Sequence, residues 1–334
     1  MKVYVVGEYR EQFQSKLNDS IFNPHPSYSQ IQDIMLACQN KNISCEYFGG
    51  VLELIHAIDT NKKFDIDDLF INISDGLTQS YCRIQAPVLF EILGVRYTGS
   101  TPFVVSLICN KYYSKIALRQ KLHTDLKYAD DIYCCRNSIP LERDIKSIGF
   151  PVIIKPNNDG FSMGIDKNSI AHTYFEAVAK IKSLQKEYDE ILIEKYIPGI
   201  DVSVFIVGNY PNIKINEIIV YKTYDSFFQE TTIRGIQEKA HKLSQKFSAN
   251  KLLSNNIIQQ LKETSIQIYK AFNARDIARI DYRLSKENEI YFLEINANPV
   301  LSSTSDVKVI CDNLKITYSD FIEIYLKSAI ERYN

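Results

Sequence analysis

Residues 278–299, ARIDYRLSKENEIYFLEINANP, decide the fold. Two apolar segments flank the polar turn SKENE, which is the pattern of two β-strands joined in a hairpin. Because alternate side chains of a strand point to one face, Arg279 and Asp281 share a face of the first strand. Glu294 and Asn296 share a face of the second strand for the same reason. The hairpin brings the strands together, so we expect these polar side chains to converge at one place.

The converging side chains have the chemistry of a magnesium site. Asp281, Glu294 and Asn296 supply two carboxylates and an amide, which are hard oxygen ligands of the kind that Mg²⁺ prefers. Arg279 lies beside them and can hold a phosphoryl or carboxyl oxygen through two parallel hydrogen bonds. The alternative is a solvated hairpin whose charged side chains form surface ion pairs. The apolar neighbours of Glu294 in YFLEI favour the first interpretation, because a carboxylate buried among them needs a cationic partner.

A lysine stands before a glycine-containing turn in IIKPNNDGFSMG, residues 153–164. The apolar segment predicts a buried strand that ends at Lys155, and Gly160 and Gly164 predict the turn. Over a triphosphate, the ammonium group would supply charge and the glycines would let backbone N–H groups approach oxygens. The lysine precedes the glycines, unlike the order in GxxxxGK loops. A lysine that extends along the surface beside an ordinary turn is the alternative.

A third stretch, EILIEKYIPGIDVSV at residues 190–204, predicts a strand, a turn and a second strand. Glu194 and Lys195 end the first strand, and Ile197 and Asp201 follow. An apolar strand edge can offer backbone groups to adenine, and a nearby carboxylate can accept hydrogen bonds from ribose hydroxyls. A strand–turn–strand unit with surface charges is the alternative.

The composition limits the classes of function. The chain has 334 residues, with 45% hydrophobic and 24% charged residues, which is typical of a protein with a buried core and roughly two or three domains. The formal charge of −1 gives no reason to expect nucleic acid or an anionic membrane as a partner. Seven cysteines without a CxxC pair favour reduced thiols in a cytoplasmic protein. No signal peptide or membrane-spanning run is predicted.

The remaining segments predict an α/β domain at the N-terminus, followed by further helices and a loop. In the N-terminal third, short apolar strands alternate with helices, which indicates a parallel sheet. Ser27 or Ser29 is expected to cap the first helix, and Gly94 to end a later one. The segment STPFVVSLICNKYYSKIALRQKL predicts one long amphipathic helix that carries Lys111. Residues 222–255 lack clean periodicity and predict a mobile loop that leads into a helix.

Four of these segments, in this order, resemble the ATP-grasp enzymes and, within them, the D-alanine–D-alanine ligases. FEILGVRYTGSTPFVVSLICNKYYSK resembles the segment leading to the first ATP lysine, and VIIKPNNDGFSMGI resembles the second lysine and the phosphate-covering loop. ILIEKYIPGIDV is similar to the adenine–ribose segment, and ARIDYRL with IYFLEINANP is similar to the magnesium hairpin. The resemblance implies nucleotide contacts for Lys111, Lys155, Ser162, Glu194, Lys195, Ile197 and Asp201, metal ligation by Asp281, Glu294 and Asn296, and catalytic roles for Arg279, Lys155 and Ser162.

The resemblance also implies an architecture and cofactors. The fold class is α/β (α+β), an ATP-grasp fold in which an N-terminal parallel α/β domain precedes two α+β domains that clasp ATP. The expected bounds are 1–105, 106–193 and 194–334, with a mobile loop at about 222–245. The implied cofactors are ATP and one or two Mg²⁺ ions, for which Mn²⁺ can substitute. The implied partners are small amino-acid-like substrates and a second copy in a homodimer, with no nucleic acid and no membrane.

The segments on the substrate side depart from the family pattern. Neither the family's glycine pair and glutamate near the N-terminus nor its lysine–tyrosine pair in the mobile loop has a clear match. Its histidine–glycine turn is replaced by NISDGLTQSYC. Phe161 stands where the family has the first serine of the phosphate loop. Ser305 aligns with the serine that holds the acceptor carboxylate, but Asp306 follows it instead of an apolar residue. Phe161 and Ser305 are the candidate substrate contacts.

Matching ATP-side segments and differing substrate-side segments predict an active ATP-dependent carboxylate–amine ligase with a different substrate pair. It would form an amide through an acyl phosphate and release ADP and phosphate. Two alternatives stay open at this point. One is D-alanine–D-alanine ligase itself, acting in cell-wall synthesis, and the other is a catalytically silent ATP-binding regulator.

Overall fold

The computed structural model describes residues 1–13, 25–77, 82–122, 124–158, 160, 162–235, 238, 241 and 243–334. The helices described there are α1 (Tyr28–Gln39), α2 (Val51–Asp59), α3 (Gln85–Leu93), α4 (Pro102–Cys109), α5 (Lys111–Lys121), α6 (Glu142–Ile148), α7 (Tyr174–Leu184), α8 (Asn255–Phe272), α9 (Asp306–Leu314) and α10 (Tyr318–Tyr333). The strands are β1 (Val3–Val6), β2 (Cys45–Gly49), β3 (Leu69–Asn72), β4 (Arg96–Tyr97), β5 (Lys127–Tyr128), β6 (Asp131–Cys135), β7 (Val152–Pro156), β8 (Ile170–Ala171), β9 (Glu190–Lys195), β10 (Gly199–Asn209), β11 (Asn212–Thr223), β12 (Phe228–Gln229), β13 (Ser244–Ser248), β14 (Ile277–Leu284) and β15 (Ile290–Asn296).

The N-terminal sheet has the order β2-β1-β3-β4, and its strands run parallel. All residues of β1 and β3 are buried, as expected for parallel strands with helices on both faces. Helix α1 begins after Ser27, and α3 ends at Gly94, whose φ of 67° is the left-handed conformation that glycine adopts readily. The predicted parallel α/β domain is confirmed.

The predicted long helix after residue 100 is wrong, because the chain forms two helices that meet at Asn110. This residue has extended backbone with ψ of 104°, and its side chain accepts a hydrogen bond from the Tyr113 N–H at 2.9 Å. The side-chain amide of Asn110 also donates a hydrogen bond to the Glu190 carboxylate at 3.1 Å. The break places Lys111 in the first turn of α5, where its N–H donates to the Asn157 carbonyl at 3.1 Å.

The central sheet has the order β6-β9-β7-β8 and is antiparallel. Helices α6 and α7 contribute Ile145, Ala177, Ile181 and Leu184 to its separate core. Strand β9 runs through residues 194–195, so the sheet extends past the domain boundary predicted at residue 193.

The large sheet contains the predicted hairpin. It has the order β13-β11-β10-β14-β15-β5, and β12 pairs with β10. One face packs against α4, α5 and α8, and the other face shares a core with α1, α9 and α10. The candidate site lies on this second face, beyond the N-terminus of α9.

Residues 222–255 contain strands that periodicity did not predict. Strand β13 pairs antiparallel with β11 and aligns Lys246 with Tyr221, and the short β12 pairs with Gly199 and Ile200. The prediction of a continuous loop is therefore wrong for these two segments. In the described ranges, every helix is too short or too polar to cross a membrane.

Candidate active site

A cleft of about 1070 Å³, counted to its open mouth, lies between the central and large sheets. The predicted residues along it are Lys111, Lys155, Ser162, Glu194, Lys195, Ile197, Asp201, Arg279, Asp281 and Glu294. Asn296 lines a smaller adjoining cavity that shares Lys111 and Glu294 with the cleft. Ser305 belongs to neither lining, and Phe161 lies outside the described residues. The structure thus brings the ATP-side residues together, while the role assigned to each stays a prediction.

The hairpin register pairs the acidic and amide side chains with their partners. Asp281 lies opposite Glu294, and Arg279 lies opposite Asn296. The Arg279 guanidinium donates two hydrogen bonds of 2.8 Å to the two oxygens of Asp281. The Ser203 hydroxyl on β10 donates to the same carboxylate at 2.6 Å. These ion pairs lie in the cleft and not on a solvated surface, which disfavours the alternative of an exposed hairpin.

The oxygen atoms of this hairpin fit a magnesium ion. Asp281 and Glu294 are adjacent carboxylates, and the Asn296 amide follows on the same strand face. In the described part of the chain, no three His, Cys, Asp or Glu side chains are placed to hold a metal. A metal here would therefore use two carboxylates, an amide and phosphate oxygens, which is a ligand set that suits Mg²⁺. Lys111 Nζ lies 3.4 Å from Glu294, so a cationic side chain lies beside this carboxylate.

Glu194, which lines the cleft, has two buried lysines as partners. Both Lys155 and Lys115 form ion pairs with the Glu194 carboxylate, and Lys115 also lies 3.4 Å from Asp131. Burial and the neighbouring lysine charges hold the pKa of Lys155 well below its usual value. An anionic ligand such as a triphosphate would stabilise the charged form of these buried lysines, so their crowding favours the binding of such a ligand.

Lys115 lies within the segment predicted as one helix, but no role is predicted for it from the sequence. It lies four residues after Lys111, so the two ammonium groups share one face of α5. This four-residue spacing is the sequence signal that could have identified Lys115 as a site residue. Asp131 is the first residue of β6, and no spacing or motif in the sequence marks it as a site residue.

Part of the cleft wall is apolar. Ile153, Ile165, Ile197 and Leu293 contribute to its wall, which suits a flat aromatic ring such as adenine. Asp201 also lines the cleft and lies 3.2 Å from Arg283, so its carboxylate is held in place by an ion pair.

The turn after β7 that contains Ser162, which resembles the family's phosphate-covering loop, contacts the segment between β12 and β13. Ser162 has a φ of 65°, and its hydroxyl donates to the Arg234 carbonyl at 3.3 Å. The Arg234 guanidinium stacks on Tyr221, with Cζ 3.4 Å from the ring centroid. Tyr221 is 1% exposed, and its hydroxyl has no hydrogen-bond partner among the described residues. Sequence reasoning missed both residues, because they lie in or beside the segment without periodicity.

Ser305 and Asp306 form the N-terminus of α9. The Ser305 hydroxyl accepts from the Val307 N–H at 3.3 Å and donates to the Ser302 carbonyl at 2.7 Å, so it caps the helix. Asp306 is buried and lies 3.0 Å from Lys246 and 3.5 Å from Arg279. Burial acts to raise the pKa of Asp306, but these cations lower it below the usual value. The residue that departs from the family pattern is thus a counterion of the predicted catalytic arginine.

On the other side of the hairpin, the N-terminal domain reaches the site through Arg83. Its Nε donates to Asp75 at 2.8 Å, and its Nη1 donates to the Asn296 amide oxygen at 3.3 Å. Asp75 belongs to NISDGLTQSYC, the stretch that departs from the family pattern. The contact between Arg83 and Asn296 spans 213 residues of sequence, so no local pattern could have predicted it.

Comparison with known proteins gives a consistent result. Residues 135–327 match the family described as D-ala D-ala ligase C-terminus. The D-alanine–D-alanine ligase of Acetivibrio thermocellus is 25% identical over 299 residues, which cover 87% of this chain and 75% of the relative. The D-alanine–D-alanine ligase of Thermotoga petrophila is 27% identical over 277 residues, which cover 83% and 84% of the two chains.

Solved structures share the fold along nearly the whole chain. The Bacillus anthracis D-alanine–D-alanine ligase complexed with ATP has a TM-score of 0.74 at 17% identity, covering 99% of this chain and 98% of the other. The VanG D-Ala:D-Ser ligase of Enterococcus faecalis has a TM-score of 0.70 at 15% identity, and the match covers 98% of this chain and 99% of the other. The predicted α/β (α+β) ATP-grasp class is confirmed. The chain belongs to the D-alanine–D-alanine ligase family and is an ATP-dependent ligase that forms carbon–nitrogen bonds.

Proposed function

We propose that this ligase joins the carboxylate of one small amino-acid-like molecule to the amine of another. The observation that carries the proposal is the convergence of the Asp281–Glu294 hairpin, Arg279 and the buried lysines 111 and 155 on one cleft. Oxygen ligands for a metal and cations for phosphates then line the same cleft, as phosphoryl transfer requires.

Each group of cleft residues has its own role in the proposed reaction. Lys111 and Lys155 would hold the phosphates, and Asp281, Glu294 and Asn296 would hold Mg²⁺, which neutralises charge on the triphosphate when bound. The substrate carboxylate attacks the γ-phosphorus, ADP leaves, and an acyl phosphate remains. The amine then attacks the acyl carbon, its nitrogen loses a proton, and phosphate leaves with the electrons of the broken carbon–oxygen bond. Arg279 would stabilise the negative charge that develops on the acyl oxygen.

The segment that follows β12 would protect the acyl phosphate from water. Ser162 and Arg234 join the phosphate loop to the segment that follows β12. Closure over the site would exclude water, which otherwise hydrolyses the acyl phosphate.

The substrate pair is proposed to differ from two D-alanine molecules. The charged groups around the reacting centre support this, since Asp306 pairs with Arg279 and Asp75 pairs with Arg83. A screen for ADP release over L- and D-amino acids, singly and in pairs, with mass detection of new amides, tests the proposal. We expect turnover with a pair other than D-alanine with itself.

The second candidate is D-alanine–D-alanine ligase itself, favoured by the activity named for the relatives. Strong turnover with D-alanine as sole amino acid would establish it and would contradict the altered substrate pair. Thermal stabilisation by Mg-ATP without ADP release across the whole panel would instead indicate a silent ATP-binding regulator and would contradict both ligase proposals.

A homodimer is proposed on the exposed face of two neighbouring helices. Leu52 and Ile55 on α2 are 61% and 47% exposed, and Ile92 on α3 is 61% exposed. An apolar face of this kind is typical of a protein interface. Light scattering should give the mass of two chains for the wild type and one chain for an Ile55→Glu, Ile92→Glu variant. A monomeric wild type would contradict the proposal.

The proposed compartment is the cytoplasm. All seven cysteines are free thiols, and a reducing compartment keeps thiols in this state. A fluorescent fusion that locates outside the cytoplasm would contradict this assignment.

A further inference from the structure

Helix α5 carries three cationic side chains at intervals of four residues, Lys111, Lys115 and Arg119. Side chains with this spacing lie on one face of a helix. Lys111 lies 3.4 Å from Glu294 of the large sheet. Lys115 forms an ion pair with Glu194 of the central sheet. This face of α5 therefore contacts both of the sheets between which the ATP cleft lies.

Lys115 compensates two carboxylates that face each other. Asp131 on β6 lies directly opposite Glu194 on β9 in the antiparallel register, and like charges placed opposite each other destabilise a sheet. The Lys115 ammonium forms an ion pair with Glu194 and lies 3.4 Å from Asp131. Asp131 has a second cation in Arg119, at 3.3 Å. Because the Lys115 side chain is 0% exposed, its contacts hold the Glu194 carboxylate in place.

The Glu194 carboxylate is shared between two lysines. One oxygen pairs with Lys115 and the other pairs with Lys155. Among the described residues, Lys155 and Glu194 line the cleft, whereas Lys115 does not. Burial and then the charge of Lys115 lower the pKa of Lys155, so the two ammonium groups repel each other across Glu194. This repulsion weakens the attraction that holds Lys155 to Glu194.

The shared carboxylate affects how Lys155 can reach a phosphate. To contact a phosphate oxygen, the Lys155 ammonium has to give up part of its ion pair with Glu194. A buried carboxylate that loses its last cation is strongly destabilising. With Lys115 present, Glu194 keeps a cation when Lys155 turns to the phosphates. Without Lys115, Glu194 and the phosphates would compete for the single ammonium group of Lys155.

We propose that Lys115 is a positioning residue for ATP, which keeps Glu194 paired and so makes Lys155 available to the phosphates. This inference rests on the phosphate contact of Lys155 in the proposed function. It adds a residue that acts on the nucleotide through Glu194 and Lys155 without lining the cleft.

The test compares three ligands on the full-length Lys115→Met variant, which keeps the length of the side chain and removes its charge. Calorimetry gives the Kd for Mg-ATP, Mg-ADP and adenosine. We expect the Kd for both phosphate-bearing ligands to rise about 10- to 100-fold, the size of effect that a charged hydrogen bond gives. The Kd for adenosine, which has the base and the ribose but no phosphate, should change less than about twofold.

A second variant tests the route through Glu194. In Lys115→Met, Glu194→Gln, no carboxylate is left to compete with the phosphates for Lys155. The ratio of the Mg-ATP and adenosine affinities should therefore return toward the wild-type ratio, which gives a coupling between the two positions. A ratio as low as in Lys115→Met alone would contradict the route through Glu194.

Controls separate positioning from a merely structural role. Lys121→Met, at the exposed end of the same helix, should match the wild type with all three ligands. Thermal denaturation shows whether each variant is folded. If Lys115→Met is unfolded, Lys115→Met, Asp131→Asn removes the charge that faces Glu194 and should show the same selective loss.

The outcomes distinguish this inference from the function on which it rests. Lys155→Met should lose affinity for Mg-ATP and not for adenosine, and unchanged Mg-ATP affinity there would overturn the phosphate contact of Lys155 and this inference together. A selective loss in Lys155→Met, with wild-type Mg-ATP affinity in the folded Lys115 variant, would overturn the Lys115 assignment alone. An equal loss for adenosine and Mg-ATP in the Lys115 variant would also overturn it, because a distorted base site weakens all three ligands.

Discussion

At the residue scale, charged side chains in the cleft lie beside side chains of opposite charge. The two hairpin carboxylates that line the cleft each have a cationic neighbour, Arg279 for Asp281 and Lys111 for Glu294. When a metal ion and a triphosphate bind, these pairs can exchange partners without leaving a charge uncompensated, since each cation gains a phosphate oxygen. The convergence of the hairpin residues was predictable from strand alternation and one turn. The partners Asp306, Tyr221 and Arg234 were not, because they come from distant segments.

Removing either hairpin carboxylate should abolish activity. Asp281→Asn and Glu294→Gln keep the side-chain shape but remove a charged metal ligand, so ADP release should fall at least about 100-fold. Glu287→Gln in the exposed turn of the same hairpin is the matched control and should behave like the wild type. Undiminished ADP release in both hairpin variants would show that the metal assignment is wrong.

The pH dependence of ATP binding should report the buried lysines. Burial lowers the pKa of Lys115 to about 8, so above this pH the ligand-free site loses positive charge. Between pH 8 and the ordinary lysine pKa near 10.5, Lys115 is protonated in the unfolded chain but not in the folded chain. The contribution of Lys115 to the free energy of unfolding therefore rises with pH in this range. Phosphates favour the protonated form, so the affinity for Mg-ATP should fall between pH 8 and 9.5.

Calorimetry in buffers of different ionisation enthalpy checks this expectation, because Mg-ATP binding at pH 8.5 should take up protons. Lys115→Met should take up fewer protons. A proton uptake of zero in the wild type would contradict the account of the lysine cluster.

At the scale of elements, tertiary contacts override local pattern at one decisive place. The segment around Asn110 has the periodicity of a single helix, yet contacts with Glu190 and Asn157 stop the first helix and start the second. No sequence window contains those partners. The hairpin and the N-terminal strands were predictable because turn residues and apolar alternation set them locally.

Asn110→Ala should weaken both stability and ATP binding. Loss of the cap on α5 should lower the free energy of unfolding by about 1 kcal/mol, which chemical denaturation measures. The KM for ATP should rise, because Lys111 occupies the first turn of that helix. A variant with lower stability but an unchanged KM for ATP would show that the helix break does not position Lys111.

At the scale of the whole molecule, one buried carboxylate links three parts of the fold. Asp276 accepts from the Gly99 N–H next to the N-terminal sheet and from Asn209 at the end of β10, each at 2.8 Å. It also accepts from Arg332 of α10 at 2.8 Å. The order of motifs predicted the ATP-grasp architecture, but sequence patterns gave no information on such contacts between distant segments.

Asp276→Ala should destabilise the protein strongly. It would leave Arg332 without its buried partner and Gly99 without its acceptor, and breaking a buried ion pair costs about 3–5 kcal/mol. Thermal or chemical denaturation measures the loss, and Asp312→Ala on the exposed face of α9 is the control. A loss no larger than that of the control would contradict this role of Asp276.

The central claim is that a substrate carboxylate is phosphorylated in the cleft before an amine displaces the phosphate. Mass spectrometry of the released phosphate tests it directly, with the carboxylate substrate labelled with ¹⁸O at both oxygens. The account predicts one ¹⁸O atom in the phosphate for each amide formed. Amide formation with unlabelled phosphate, or with release of AMP and pyrophosphate, would contradict it.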